Sequence, residues 1–104
     1  MTRFVHPATA DITLAAVLGA LSDPMRLRIL KKLLDRRDRG MSCSGAAPCE
    51  DMAKSTLSHH FRVLRDAGLI RTTKQGVEHF NTVRWDDVNE RFPGLLKTVL
   101  KFQP

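Results

Sequence analysis

Apolar positions along the chain alternate between a period near 3.6 and a period of two, and the changes of period mark its elements. Over positions 11–21, Ile12, Ala15, Ala16 and Gly19 recur at helical spacing, with Leu14, Val17, Leu18 and Leu21 beside them. This predicts a helix with almost no polar face, covered on one side by its own core and on the other by another chain. Ser22-Asp23-Pro24 marks a boundary, because Asp23 can cap free amides and Pro24 suits a first helical position. A second helix is predicted over 24–37, with Leu27, Leu30 and Leu34 inward, joined by Ile29 and Leu33. Arg26, Lys31, Lys32 and Asp35 fill its other face, and Arg36, Arg37, Arg39 and Gly40 close it.

Positions 41–52 are the least regular, with Gly45 and Pro48 among small residues, and predict only a short helix or turn. In 54–68, by contrast, Leu57, Phe61 and Leu64 form an i, i+4, i+7 stripe and Gly68 follows as a stop. At about 100° per residue, Ser55, Ser58, His59 and Arg62 project from the opposite side, with Thr56 and His60 on the flank. Two β-type runs then follow, 69–74 and 77–83, around a turn at Gln75-Gly76. Helix is predicted again over 85–91 and 95–102, broken near Pro93-Gly94, with Leu96, Val99 and Leu100 as an apolar seam.

Composition narrows the functional classes. A chain of 104 residues, 42% hydrophobic and 27% charged, is one globular domain with a marginal core, so a second subunit is expected. Its 17 Lys+Arg against 11 Asp+Glu leave a net charge of +6, which on so small a domain points to a polyanion or an anionic membrane surface, without choosing between DNA, RNA and lipid. The apolar run at 14–21 is far short of the roughly 20 residues that span a bilayer, and no membrane partner is expected. Positions 1–9 lack the layout of an export signal, so a cytoplasmic location is expected. Cys43 and Cys49 are too few for a disulfide scaffold and are expected as thiols.

Two helices supporting a third with an exposed Ser/His/Arg face, followed by a hairpin carrying Arg71, Lys74 and His79, is the plan of a winged helix-turn-helix. The fold class is α+β and mainly helical, with a two-stranded β-hairpin wing. The blocks Leu21-Ser-Asp-Pro-Met-Arg-Leu-Arg-Ile-Leu30 and Lys54-Ser-Thr-Leu-Ser-His-His-Phe-Arg-Val-Leu-Arg-Asp-Ala-Gly-Leu-Ile70, in that order, strongly resemble the ArsR family of bacterial transcriptional repressors. The resemblance covers positions 14–83. It implies a homodimer that binds a pseudo-palindromic operator in double-stranded DNA. Dimerisation helices are then expected at 11–21 and 85–102, the helix-turn-helix at 42–68 and the wing at 69–83, within one domain spanning 1–104. Lys54, Ser55, Thr56, Ser58, His59, His60 and Arg62 would lie on the recognition helix, and Arg71, Lys74, Gln75 and His79 on the wing. His59 and Arg62 can read base edges, while Ser55, Thr56 and Ser58 suit phosphates. Each cation also has a plain reading as a solvated charge, and His60 one as a packed core residue.

The family's metal sites are not matched. Where one of them has a Cys-x-Cys pair, this chain has Ser42-Cys43-Ser44-Gly45, and positions 84–104 contain no histidine for the other. No metal and no cofactor are expected. Cys43 and Cys49, ahead of the recognition helix, are candidates for a thiol redox switch. On an unbroken helix their six-position separation of about 9 Å would forbid a disulfide, but Gly45 and Pro48 argue against such a helix. The other readings are two small core residues, or capture of a soft metal or arsenical. No catalytic residues are expected, since Ser58, His59 and His60 diverge around a helix with no carboxylate spaced to orient them. A winged helix serving protein docking or RNA is the remaining alternative.

Overall fold

The computed structural model describes residues 4–35, 41–42, 45–47 and 52–103. A short 3-10 turn, Thr9–Asp11, leads into α1 (Leu14–Leu21) and α2 (Pro24–Leu34). The two-residue strand β1 (Met41–Ser42) precedes the long helix α3 (Lys54–Asp66). The hairpin β2 (Ile70–Gln75) and β3 (Glu78–Val83) follows, and α4 (Trp85–Arg91) and α5 (Leu95–Lys101) complete the order.

The predicted boundaries hold where a cap enforces them. Asp23 Oδ1 accepts from the amides of Met25 at 2.7 Å and Arg26 at 3.2 Å, and Pro24 opens α2. The α3 stop is a Schellman motif: the Gly68 amide donates to Arg65 O and the Leu69 amide to Leu64 O, both at 3.0 Å. Gly68 sits at φ +86°, open to glycine at little cost. The first helix is shorter than the apolar pattern predicts. Thr13 Oγ1 accepts from the Ala16 amide and starts α1 there, while Ile12 is extended at φ −70°, ψ 120°.

Val17, Leu21, Ile29, Leu30, Leu33, Leu57, Phe61 and Leu64 of the first three helices meet in one core with Leu69, Ile70, Val88 and Leu96. Burying each such side chain is worth about 1.5–3 kcal/mol. The expected two-stranded wing is an antiparallel sheet of three strands in the order β1-β3-β2. Met41 pairs with Asn81 and Ser42 with Phe80, so β1 makes β3 the central strand. A two-residue strand leaves no period for a sequence reading to detect. The hairpin turn is also displaced from Gln75-Gly76. Gln75 pairs with Glu78, and the loop is Gly76-Val77. Gly76 has φ +64° and Val77 no positive φ, which makes a type II′ turn matched to strand twist.

Candidate nucleic-acid interface

On α3 the stripe Leu57, Phe61, Leu64 is buried, and Lys54, Ser55, Thr56, Ser58, His59 and Arg62 are all exposed. Ala53 at the N-cap has no side chain with which to bond the first amides, and the first turn carries Lys54 and no acid. A cation at the positive end of a helix dipole costs roughly 0.3–1 kcal/mol, so this end of α3 is arranged against its own stability and in favour of an anion. Arg62 Nε lies 3.8 Å from Asp66 Oδ2 with both side chains well exposed. Such a surface pair is worth at most about 1 kcal/mol, so Arg62 can leave Asp66 for a stronger acceptor.

His60 does not belong to this exposed face. It is only 7% exposed, and its Nδ1 accepts from Arg26 Nη1 at 3.3 Å. A guanidinium has no acceptor, so the imidazole proton sits on Nε2. Its position, on the flank three residues from Leu57 and four from Leu64, turns it to the α1–α2 corner and away from solvent.

The wing divides its residues between two faces. Directly opposed residues share a face of an antiparallel pair, so Thr72 with Asn81 and Lys74 with His79 lie on the face toward α3. Arg71 with Thr82 and Gln75 with Glu78 lie on the other. Lys74 is exposed, His79 half-buried, and Val77 at the tip is 96% exposed. A cleft of about 280 Å³ separates the wing from α3, lined by Lys54, Leu57, Ser58, Glu78 and His79 among others. Arg71 is not part of it. It stands at the base of the wing on the outer face, with Nη2 3.8 Å from Asp87 Oδ2, which also accepts from Arg84 Nε at 2.9 Å. The Arg84 hydrogen bond, against the opposing effect of burial, holds the Asp87 carboxyl below its usual range, helped by Thr9 and by the charges of Arg84 and Arg71.

Sequence reasoning missed the polar core of the sheet. Arg65 Nη1 donates to Thr72 Oγ1 at 3.2 Å, Thr72 Oγ1 donates to Asn81 Oδ1 at 2.7 Å, and Asn81 Nδ2 donates to Met41 O at 3.1 Å. This chain of bonds ties α3 to all three strands, and Asn81 at its centre is fully buried. The alternation of 78–83 places Asn81 on the inner face, and that was the available signal. Cys43 and Cys49 lie outside the described residues, as do Arg36, Arg37 and Arg39. Among the described residues no group of His, Cys, Asp and Glu could hold a metal ion, and no helix is long and apolar enough to cross a membrane.

A helix with an exposed polar and cationic face thus stands beside a hairpin that carries Lys74 and His79 on its inner face, and known proteins share this sequence pattern and fold. Residues 21–73 match the model of a helix-turn-helix domain family. The chain is 34% identical over 85 residues to the helix-turn-helix transcriptional regulator YceK of Bacillus subtilis, across 82% of this chain and 84% of that one. It is 37% identical over 71 residues to the arsenical resistance operon repressor of Staphylococcus xylosus, across 64% and 61%. Among solved structures it resembles an ArsR-like transcriptional regulator from Rhodococcus sp. RHA1, with TM-score 0.63 and 26% identity over 86% of this chain and 81% of that one. It also resembles NolR from Sinorhizobium fredii, with TM-score 0.61 and 25% identity over 93% and 96%. The chain belongs to the ArsR family of helix-turn-helix transcriptional regulators, and its activity is gene regulation, not catalysis.

Proposed function

We propose that two copies of this chain form a symmetric dimer that binds a pseudo-palindromic operator and represses transcription by occupying it. The observation that carries the reading is the exposed row Lys54, Ser55, Ser58, His59, Arg62 on α3, of which Lys54 and Ser58 line a cleft shared with His79, the cross-strand partner of Lys74 on the wing. His59 and Arg62 would donate to base acceptors in the major groove, with Lys54, Ser55, Thr56 and Ser58 on phosphates. Lys74, Gln75 and His79 would follow the adjacent backbone. Arg71 and His60 have structural partners of their own and would act only by holding wing and helix in place. Leu14 and Leu18, one turn apart on α1, are 46% and 47% exposed, and Phe102 beyond α5 is 76% exposed. A second copy laid on these residues would cover them and set two recognition helices about one turn of duplex apart. Such a dimer would work in the cytoplasm, on the chromosome.

Within that reading, Cys43 and Cys49 would be the effector site. Peroxide would take two electrons and two protons from the thiols, leaving one disulfide and two waters. The chain ahead of them and between them is anchored: Ser42 is paired to the wing, and Ala47 O accepts from Lys32 Nζ of α2 at 2.6 Å. A closed bond would thus pull on both the wing and the helix-turn-helix. Selection of duplexes from a random pool, followed by footprinting and sedimentation, tests the function. A two-fold symmetric footprint bound by a dimer is expected, and a monomer protecting no duplex would overturn it. Oxidation that forms the disulfide yet leaves affinity unchanged would remove the switch and keep the repressor.

A further inference from the structure

Residues 4–12 run as a strap across the elements that carry the interface. Thr72 donates its backbone amide to His6 Nε2 at 2.9 Å. β2 is an outer strand of the sheet, so His6 occupies a donor that a sheet edge would otherwise leave open. Two residues before it, the Phe4 ring meets His79 of β3 edge-on at 4.8 Å, and the Arg65 guanidinium of α3 lies 4.5 Å above the Phe4 ring. After it, Pro7 O accepts from Arg84 Nη1 at 2.7 Å, and Ile12 O accepts from Arg91 Nε and Nη2 at 3.2 and 3.0 Å. Pro7 and Ile12 seat against Gly68, where an added Cβ would come within 2.6 Å of Ile12 Cγ1 and 3.3 Å of Pro7 Cγ. The strap therefore touches α3, its stop, both long strands and α4.

We propose that His6 is a positioning residue that locks the wing to the recognition helix, and that its protonation opens the lock. The bond requires an unprotonated Nε2, because an imidazolium offers only donors to the Thr72 amide. The groups that face His6 are mostly cationic: Arg71 on β2, Arg84 ahead of α4 and Arg65 on α3. Asp87 of α4 is engaged with Arg71 and Arg84, and His79 of β3 is packed edge-on against Phe4. Burial first, and then the charges of Arg71, Arg84 and Arg65, lower the His6 pKa. The lock thus holds at neutral pH and above, and is lost as pH falls through the lowered value. The geometry stands without any DNA, while the consequence for binding rests on the function proposed above.

Two readouts on the whole protein test this. By NMR, the Thr72 amide shift is expected to follow the same midpoint as the His6 ring, below the ordinary histidine value. Exchange protection of the Thr72 amide is expected to fall across it. In His6→Gln, whose side-chain oxygen accepts at every pH, Thr72 should stay protected. A Thr72 amide indifferent to the His6 titration, or equally protected on both sides of it, overturns the lock. For binding, wild type and His6→Gln are compared on one duplex taken from the random-pool selection. The comparison cancels whatever pH dependence of binding the two proteins share. Wild type is expected to lose roughly fivefold relative to His6→Gln on passing through the His6 midpoint, the worth of one hydrogen bond. A constant ratio, with the NMR result as expected, would deny His6 a role in binding. Failure of both proteins to bind any duplex at neutral pH would count against the proposed function, since the NMR readout does not depend on DNA.

Discussion

Arg26 bridges the α1–α2 corner to α3 through His60. Its Nη1 donates to His60 Nδ1 at 3.3 Å, its Nε to Ala20 O at 2.7 Å and its Nη2 to Gly19 O at 3.4 Å. Asp23, which caps α2, lies 4.0 Å from Nη1. One guanidinium thus closes the end of α1 and fixes the inner face of α3. Arg26→Met should destabilise the fold by about 1.5–3 kcal/mol, the range for hydrogen bonds made by a charged group. His60→Gln, which keeps an acceptor, should cost clearly less. Urea unfolding reads both, and equal losses would show that the bridge is not what His60 is held for.

The pH dependence of stability should be set largely by carboxylates that are held ionised. Asp87 is kept below its usual range chiefly by the Arg84 hydrogen bond. For Asp23, burial opposes the shift, but the Arg26 and Met25 amides and the charge of Arg26 outweigh it. With both folded values below the unfolded ones, the unfolded state binds more protons in acid. Stability is then present above the ordinary carboxylate range, near pH 4, and lost as pH falls through the lowered values. Asp87→Asn should be less stable at neutral pH and show a shallower loss in acid. Identical acid limbs for the two proteins, in unfolding midpoints measured from pH 7 to pH 3, would exclude Asp87 as a contributor.

What was legible in the sequence was whatever repeated or capped. The Leu57, Phe61, Leu64 stripe, the Asp23-Pro24 start and the Gly68 stop each declare themselves through a local rule that tertiary packing does not override. What was not legible depends on partners far along the chain. Asn81 is buried because Thr72 and the carbonyl of Met41, 40 positions away, satisfy its amide. The strap of residues 4–12 has no period at all, since each of its contacts is made by a different element. Of α3, the exposed face was legible from rotation alone, whereas His60 on its flank needed Arg26 to decide its side.

Arg62 and Lys74 should separate sequence reading from charge. Arg62 is on the exposed face of α3 with a surface pair to Asp66, and Lys74 is exposed on the wing opposite His79. If Arg62 reads a base, Arg62→Ala should cost roughly 1–3 kcal/mol on the selected operator and narrow its margin over unrelated duplex. Lys74→Ala should weaken all duplexes alike and reduce the salt slope by about one. Binding isotherms at several salt concentrations give both quantities, and an unchanged slope in Lys74→Ala would remove Lys74 from the phosphate path.

Gly68 and Gly76 offer a controlled comparison, since both have positive φ, +86° and +64°, but only one is enclosed. At Gly76 an added Cβ meets nothing within 4 Å, so Gly76→Ala should cost only the left-handed strain of about 1–2 kcal/mol. At Gly68 the same strain is joined by contacts of 2.6 and 2.9 Å with Cγ1 and Cδ1 of the fully buried Ile12. Ile12 cannot turn aside freely, because its carbonyl is held by Arg91 and its side chain is part of the core. Overpacking of that kind adds typically about 1–3 kcal/mol. Gly68→Ala should therefore lose clearly more stability than Gly76→Ala, and should also loosen the strap and expose the Thr72 amide. Equal thermal midpoints for the two variants would show that residues 4–12 do not bear on the α3 stop.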